Sequence, residues 1–295
     1  MIPFVKHMDF AYGRADQVSP LIRRVVAENP GPFTYTGTGT YIVGRGEVAV
    51  IDPGPALPAH LDALLAATEG ERVAAILITH THRDHSPLSR ELAERTGATV
   101  WGRPPPSVEA GWLDEAHDRD FAPDRQLRDG EVVAGPGWTL RALATPGHAS
   151  NHFAFALGEE DALFSGDHVM GWSTTVVSPP DGDMGAYYAS LDKVAAGGFS
   201  ALWPTHGPPV TEVAPFLTAY KAHRLERERQ ILKQVGQGRG RISEMVPAIY
   251  AGVDPRLYPA AAQSVLAHLI HLARTGAVAT EGEPSLSSDY RPAQG

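Results

Sequence analysis

The sequence predicts an α/β sandwich followed by a small helical, winged-helix-like module. Short apolar runs alternate with helical periodicities through the first two-thirds of the 295 residues, as expected of strands and helices packed in layers. Several of those runs stop at a histidine or an aspartate, as in ILITHTHRDHSP at 76–87. From about Val213 onward the texture changes to long helix, helix, helix, strand.

Taken in order, TYIVG (40–44) and VAVID (48–52) flank Arg45-Gly46-Glu47 and predict a hairpin. AHLDALLAAT (59–68) has the leucine spacing of a helix. AAILIT (74–79) is a buried strand running into the histidines, SRELAERTG (89–97) a helix closed by Gly97, and TVW (99–101) a further strand. Residues 102–128, rich in Pro, Asp and Glu, are expected to form a long surface insertion. WTLRALATPG (138–147) alternates and breaks at Pro-Gly, and HFAFALG (152–158) with DALFSGD (161–167) predicts a second hairpin. A helix over 185–198 and a strand over 200–207 complete a first domain at 1–213. The second domain, 214–295, opens with a long amphipathic helix and a flexible GQGRG joint (236–240). SEMVPAIY, PAAAQSVLAHLIHLARTG and AVATEG then predict helix, helix and strand.

With 43% hydrophobic and 20% charged residues, a packed core is expected. The longest apolar run, Val73 to Ile78, is too short to span a bilayer, and no basic-then-apolar leader opens the chain, so a cytoplasmic protein is expected. There is no cysteine, which excludes disulfides and thiolate metal sites. The net charge of −9 argues against tight nucleic-acid binding, but the charge is uneven. Residues 214–295 hold 10 basic and 7 acidic residues, against 15 and 27 in the first 213.

The chemistry concentrates at strand ends. His80, His82 and Asp84 fall two apart on an extended segment and face one way, and a turn lets His85 join them. Imidazole and carboxylate in such density suit zinc. TPGHASNH brings His148, LFSGDH brings Asp167 and LWPTHGP brings His206, each after an apolar strand and a tight turn.

THTHRDHS, TPGHASNH, FSGDH and PTHG, in this order, resemble the metallo-β-lactamase fold superfamily over about residues 30–215. The resemblance implies an αββα sandwich and a dinuclear zinc hydrolase, with manganese or iron as alternative metals. It implies that His80, His82 and His148 hold one metal, that Asp84, His85 and His206 hold the other, and that Asp167 bridges them. Asp52 matches the superfamily's early aspartate, which buttresses the ligands. Two metals sharing a hydroxide would supply the nucleophile, with Asp84 as ligand and catalytic residue orienting it.

FSGDHVMGWSTTVVSPPDGDMGAYYASL, PTHGPPV, AHRLERERQIL and the helical tail are further similar to the β-lactamase-like protein 2 family, whose mitochondrial members are zinc-dependent ribonucleases acting on single-stranded RNA. That resemblance implies a phosphodiester substrate. A thioester hydrolase resembling glyoxalase II, which shares THTHxDH, is the alternative. A β-lactamase or lactonase, a mononuclear-iron persulfide dioxygenase and a binding protein without catalysis rank lower. No membrane partner is expected, the substrate is a small molecule or single-stranded RNA, and a homodimer is one assembly the resemblance leaves open.

For substrate contacts, His223 and Arg224 on the basic helix are candidates to hold an anionic group, with a solvated helix face as the plain alternative. Trp172 is a candidate to stack on a base or cover an acyl chain, and Tyr187 to line the pocket. His268 and His271 read as an ordinary helix pair, His152 as either a ligand support or packing, and His168 as pointing away from the metals.

Overall fold

The computed structural model describes residues 1–107, 117–252 and 254–293. Two sheets lie face to face. The first contains β1 (Ala15–Gln17), β2 (Ile22–Val26), β3 (Gly39–Arg45), β4 (Glu47–Ile51), β5 (Arg72–Leu77), β6 (Thr99–Gly102) and β7 (Arg125–Gln126), in that spatial order. Its strands are antiparallel up to β4 and parallel from β4 onward. The second runs β12 (Ala201–Pro204), β11 (Ala162–Gly166), β10 (Phe153–Leu157), β9 (Trp138–Ala144), β8 (Val132–Gly135). Only β11 and β12 pair in parallel there.

Side-chain alternation sorts each strand into two layers. On β3, Tyr41 and Val43 point between the sheets, where they pack with Phe153, Phe155, Phe164 and Trp138. Ile42, between them, points outward to the cluster that also takes Leu61, Leu64 and Leu92. Those leucines belong to helices α1 (Pro58–Ala67) and α2 (Leu88–Thr96), which cover the outer face of the first sheet. On the other side, Ala154, Leu163 and Leu202 meet α3 (Met184–Ala196) and the first half of α4 (Val213–Gly236) through Tyr187, Leu191, Phe216 and Tyr220. The layers are therefore helix, sheet, sheet, helix.

The second half of α4 enters a separate core. Ile231 and Val235 pack with Ile242 and Met245 of α5 (Ile242–Ile249) and with Leu266, Leu269 and Leu272 of α6 (Tyr258–Arg274). The strand expected over AVATEG shortens to β13 (Val278–Ala279), paired with β14 (Arg291–Pro292). GQGRG is tied down rather than left as a flexible joint, because Tyr290 N donates to Gly240 O at 2.9 Å and Arg241 bridges Asp289.

The 102–128 insertion also differs from a simple surface excursion. Its described part adds β7 to the sheet, buries Phe121 and Leu127, and pairs His117 with His82. Residues 108–116 of it lie outside the described residues. Among the described residues, no helix is long and apolar enough to cross a membrane.

Candidate metal centre

Parallel pairing of β4 with β5 and of β11 with β12, and antiparallel steps from β9 through β10 to β11, put the C-terminal ends of the four ligand-bearing strands β5, β9, β11 and β12, and of β4 with Asp52, on one edge. The sheets are stitched together there. Phe153 N donates to Thr79 O and Gly39 N to Thr205 O, both at 2.7 Å, and Tyr41 Oη donates to Pro204 O at 2.6 Å. Two glycines make the tight exits. Gly147 has φ +140° and a Cβ there would lie 2.5 Å from Tyr187 Cα; Gly166 has φ +54° and a Cβ there would lie 2.5 Å from His152 Nε2. Each directly precedes a candidate ligand, His148 or Asp167.

The seven candidate ligands come together in three overlapping groups: His80, His82 and His148; His80, His85 and Asp167; and Asp84, His85 and His206. In each group the donor atoms lie within 4.8 Å of one another. Asp84 sits in the turn after His82, closed by His85 N to His82 O at 2.9 Å, rather than on a continued extended segment. That turn swings it from the first triad to His206, whose Nε2 is 3.1 Å from Asp84 Oδ2. Asp167 faces both sides, with one oxygen 3.6 Å from His85 Nε2 and 3.7 Å from His148 Nε2, and the other 3.4 Å from His206 Nε2.

The hydrogen bonds behind the ligands set the tautomers. A carboxylate only accepts, so Asp52 Oδ2 accepts hydrogen bonds from His85 Nδ1 (2.8 Å), from Thr79 Oγ1 (2.7 Å) and from Thr205 Oγ1 (3.0 Å). With its own proton spent, Thr79 Oγ1 accepts from His80 Nδ1 at 3.0 Å. His148 Nδ1 donates to Val176 O at 2.6 Å and His206 Nδ1 to Gly37 O at 3.3 Å. Four imidazoles thus carry a proton on the rear nitrogen and turn Nε2 inward, where a metal would take its lone pair.

A metal fits this donor set. His85 Nε2, His206 Nε2 and Asp167 Oδ1 are buried with no hydrogen-bond partner among the described residues, a state that costs free energy unless a cation is present. His82 Nδ1 lies 2.8 Å from His80 Nε2 and 3.1 Å from His148 Nε2. It has at most one proton to offer two acceptors. Zn–N bonds of about 2.0–2.1 Å set tetrahedral neighbours roughly 3.3 Å apart, close to this spacing.

Electrostatics agree. Burial, reinforced by neighbouring imidazoles, holds the pKa values of His80 and His82 well below the usual histidine range. Burial disfavours charge on His85 as well, but the carboxylates of Asp84, Asp167 and Asp52 outweigh it and raise its pKa. Burial likewise opposes charge on Asp167, and the His206 and His85 imidazoles reverse the balance, lowering its pKa.

A cavity of about 490 Å³ opens on His82, Asp84, His148 and Asp167. Its other walls include Pro32, Phe33, Met170, Trp172 and Val176, with Arg83 the one basic residue among them. Trp172 lines it as the sequence suggested, stacked on Tyr35 with ring centroids 4.8 Å apart. The other three expected substrate contacts are corrected. Tyr187 is fully buried and its hydroxyl donates to His168 O at 2.7 Å. Arg224 is buried behind the cavity wall and donates to Thr175 O. His223 is exposed on α4 and does not line the cavity. The basic helix packs its cations elsewhere because its apolar positions, Phe216, Leu217 and Tyr220, face the sandwich.

His152 supports a ligand: its Nε2 accepts from Asp167 N at 3.1 Å while Nδ1 bonds Thr145 Oγ1 at 2.8 Å. His168 joins no ligand group and packs on Tyr187. His268 is buried with Nδ1 3.3 Å from Glu228. Sequence reasoning missed His117, whose ring lies 4.7 Å from that of His82 and whose Nε2 is 3.7 Å from Asp181. A single histidine in a Pro- and Asp-rich stretch carries no spacing signal. Phe33, among the turn residues of NPGPFTYT, was missed as well.

Residues 35–206 match the model of the Metallo-beta-lactamase superfamily, and residues 242–286 that of the Beta-lactamase associated winged helix domain. An atrochrysone carboxyl ACP thioesterase from Aspergillus chevalieri is 36% identical over 248 residues, covering 80% of this chain and 75% of the relative. A Beta-lactamase-like protein 2 homolog from Caenorhabditis elegans is 33% identical over 228 residues, covering 74% and 72%. The crystal structure of a metallo-beta-lactamase family protein from Thermus thermophilus superimposes with a TM-score of 0.74 at 26% identity, covering 94% of this chain and all of that one. Fold, ligand edge and sequence relatives coincide, and the chain belongs to the metallo-beta-lactamase superfamily, as a metal-dependent hydrolase whose C-terminal module is the winged helix associated with that domain.

Proposed function

We propose that the protein is a dinuclear zinc hydrolase of thioesters that carry a bulky apolar or aromatic acyl group. The observation that carries this reading is the cavity. It is large, walled by Phe33, Met170, Trp172 and Val176, and offers one guanidinium beside the candidate metal ligands. Apolar walls of this kind gain free energy by taking an acyl group out of water. They give a polyanionic backbone little to hold, since phosphate recognition leans on several cations.

His80, His82 and His148 would hold one ion, Asp84, His85 and His206 the other, and Asp167 both. When bound, such a pair supplies an acidified water as nucleophile and polarises the electrophile's oxygen. Asp84, with a side chain 27% exposed at the cavity floor, is placed to accept a hydrogen bond from the attacking water and aim it. The Asp52–Thr79–Thr205 network fixes the rear nitrogens of His80 and His85, so that each turns Nε2 toward the other candidate ligands. A thiolate, with an unperturbed pKa of about 8.5, departs with little help from an acid. Similarity to the fungal thioesterase supports the same class.

A second reading, cleavage of single-stranded RNA, is favoured by the winged helix and by the likeness to a Beta-lactamase-like protein 2 homolog. One paired assay on zinc-loaded full-length protein separates the two. An aromatic acyl-pantetheine thioester and a fluorescent single-stranded RNA are offered in parallel, with His82→Ala as control. Thioester turnover lost by at least about 100-fold in the variant is expected. Metal-dependent RNA cleavage without thioester turnover would replace this reading with the second.

A further inference from the structure

The cavity wall at 173–176 is irregular backbone touching both the substrate space and the ligands. In front, the Thr175 hydroxyl donates to Asp167 O, and Val176 O accepts from His148 Nδ1 at 2.6 Å. Behind, α4 supplies three contacts. Thr175 N donates to Tyr220 Oη at 2.6 Å, Tyr220 Oη donates to Ser173 O at 3.2 Å, and the Arg224 guanidinium donates to Thr175 O.

Arg224 is an unusual choice for that place. It is 4% exposed, lies 5.2 Å over the Tyr187 ring, and makes no ion pair among the described residues. Its Nε is buried without a hydrogen-bond partner there. A buried guanidinium without a carboxylate partner carries a desolvation cost that an apolar side chain would avoid. One turn further along the same helix, Glu228 lies 3.3 Å from His268 Nδ1 and 4.0 Å from His271 Nε2, both on α6 of the winged helix.

We propose that Arg224 is a positioning residue. Through the Thr175 carbonyl it holds the 173–176 wall in the arrangement in which Val176 orients His148 and Thr175 orients Asp167, and so couples the C-terminal module to the metal centre. This rests on the reading of His148 and Asp167 as metal ligands and is independent of the substrate.

The test is metal binding by full-length protein, read by chelator competition and by the visible spectrum of the cobalt(II) form, with melting curves as the folding control. Arg224→Gln is expected to weaken affinity for at least one ion by about 10–100-fold and to alter the spectrum. Arg224→Lys is expected to recover affinity to within about threefold, because an ammonium can make the same single bond to a carbonyl. A folded Arg224→Gln protein with wild-type affinity and spectrum would overturn the proposal. If that variant does not fold, Thr175→Val removes the arm to Asp167 O together with the 3.5 Å contact from the same hydroxyl to His148 Nδ1. An affinity about 10-fold weaker supports the latch, and unchanged binding overturns it. Wild-type protein that takes up no cobalt would sink the ligand reading itself, and the latch with it.

Discussion

Asp52 is the residue on which the centre's rear layer converges. It stands at φ +49°, a conformation rarely adopted by non-glycine residues, and its two carboxylate oxygens meet Thr79, Thr205 and His85. Its own carbonyl accepts from Thr40 Oγ1 at 2.7 Å, which obliges Thr40 to accept in turn from His60 Nε2 at 2.8 Å. The other nitrogen of His60, Nδ1, is buried without a hydrogen-bond partner among the described residues, and burial pulls the pKa of the ring down to about 4, so it is neutral near pH 7. The unfolded chain takes up this proton near pH 6.5 and the folded chain only near 4. Stability from this group is thus complete above about pH 6.5 and is lost as pH falls toward 4, by up to about 3 kcal/mol. Gln at position 60 keeps a donor toward Thr40 without titrating. Urea unfolding at pH 7.5 and 5 is expected to show a smaller loss for His60→Gln than for wild type. Equal losses would place the pH dependence elsewhere.

Among the elements, α3 shows how one side chain serves two parts of the molecule. Asp183 caps it by accepting from Ala186 N at 2.8 Å, and its other oxygen pairs with Arg274 at the end of α6. Burial raises the Asp183 carboxyl, but the Ala186 N–H and the Arg274 guanidinium outweigh it, and its pKa is lowered. Its contribution is present above the unfolded carboxylate pKa of about 3.9 and fades as pH falls through the lower folded value. Asp183→Ala is expected to cost about 1–2 kcal/mol at pH 7, mostly the cap, since the pair is partly exposed. The gap between variant and wild type should narrow near pH 3 in chemical denaturation. A gap constant with pH would mean that the carboxylate's charge contributes nothing.

For the whole molecule, α4 is the member shared between two cores. Val213, Phe216, Leu217 and Tyr220 are buried against the sandwich, and Ile231 and Val235 against the winged helix. A boundary at 213/214 runs through the start of this helix rather than through a linker. Truncation after residue 212 would uncover Ile2, Leu163 and Leu202. It is expected to yield aggregating protein without a cooperative melt, whereas a soluble fragment with the full-length melting temperature would show that α4 is dispensable to the sandwich.

The division between chain and fold follows from the range of each physical signal. Alternation on β3, the leucine spacing of α1, the turn residues before His148 and Asp167, and the density of histidines from 80 to 85 are local patterns. The sequence by itself therefore determined the layered architecture and the imidazole and carboxylate character of the centre, and it named all seven candidate ligands. The two triads were implied by the resemblance, whereas which nitrogen each imidazole presents and the recruitment of His117 and Phe33 depend on contacts between residues far apart in the chain. So does the placement of Arg224, which a helical pattern alone leaves as either solvent-facing or cleft-facing. Only the tertiary structure decided that it lies behind the wall, because a buried guanidinium goes where a carbonyl is left to accept its hydrogen bond.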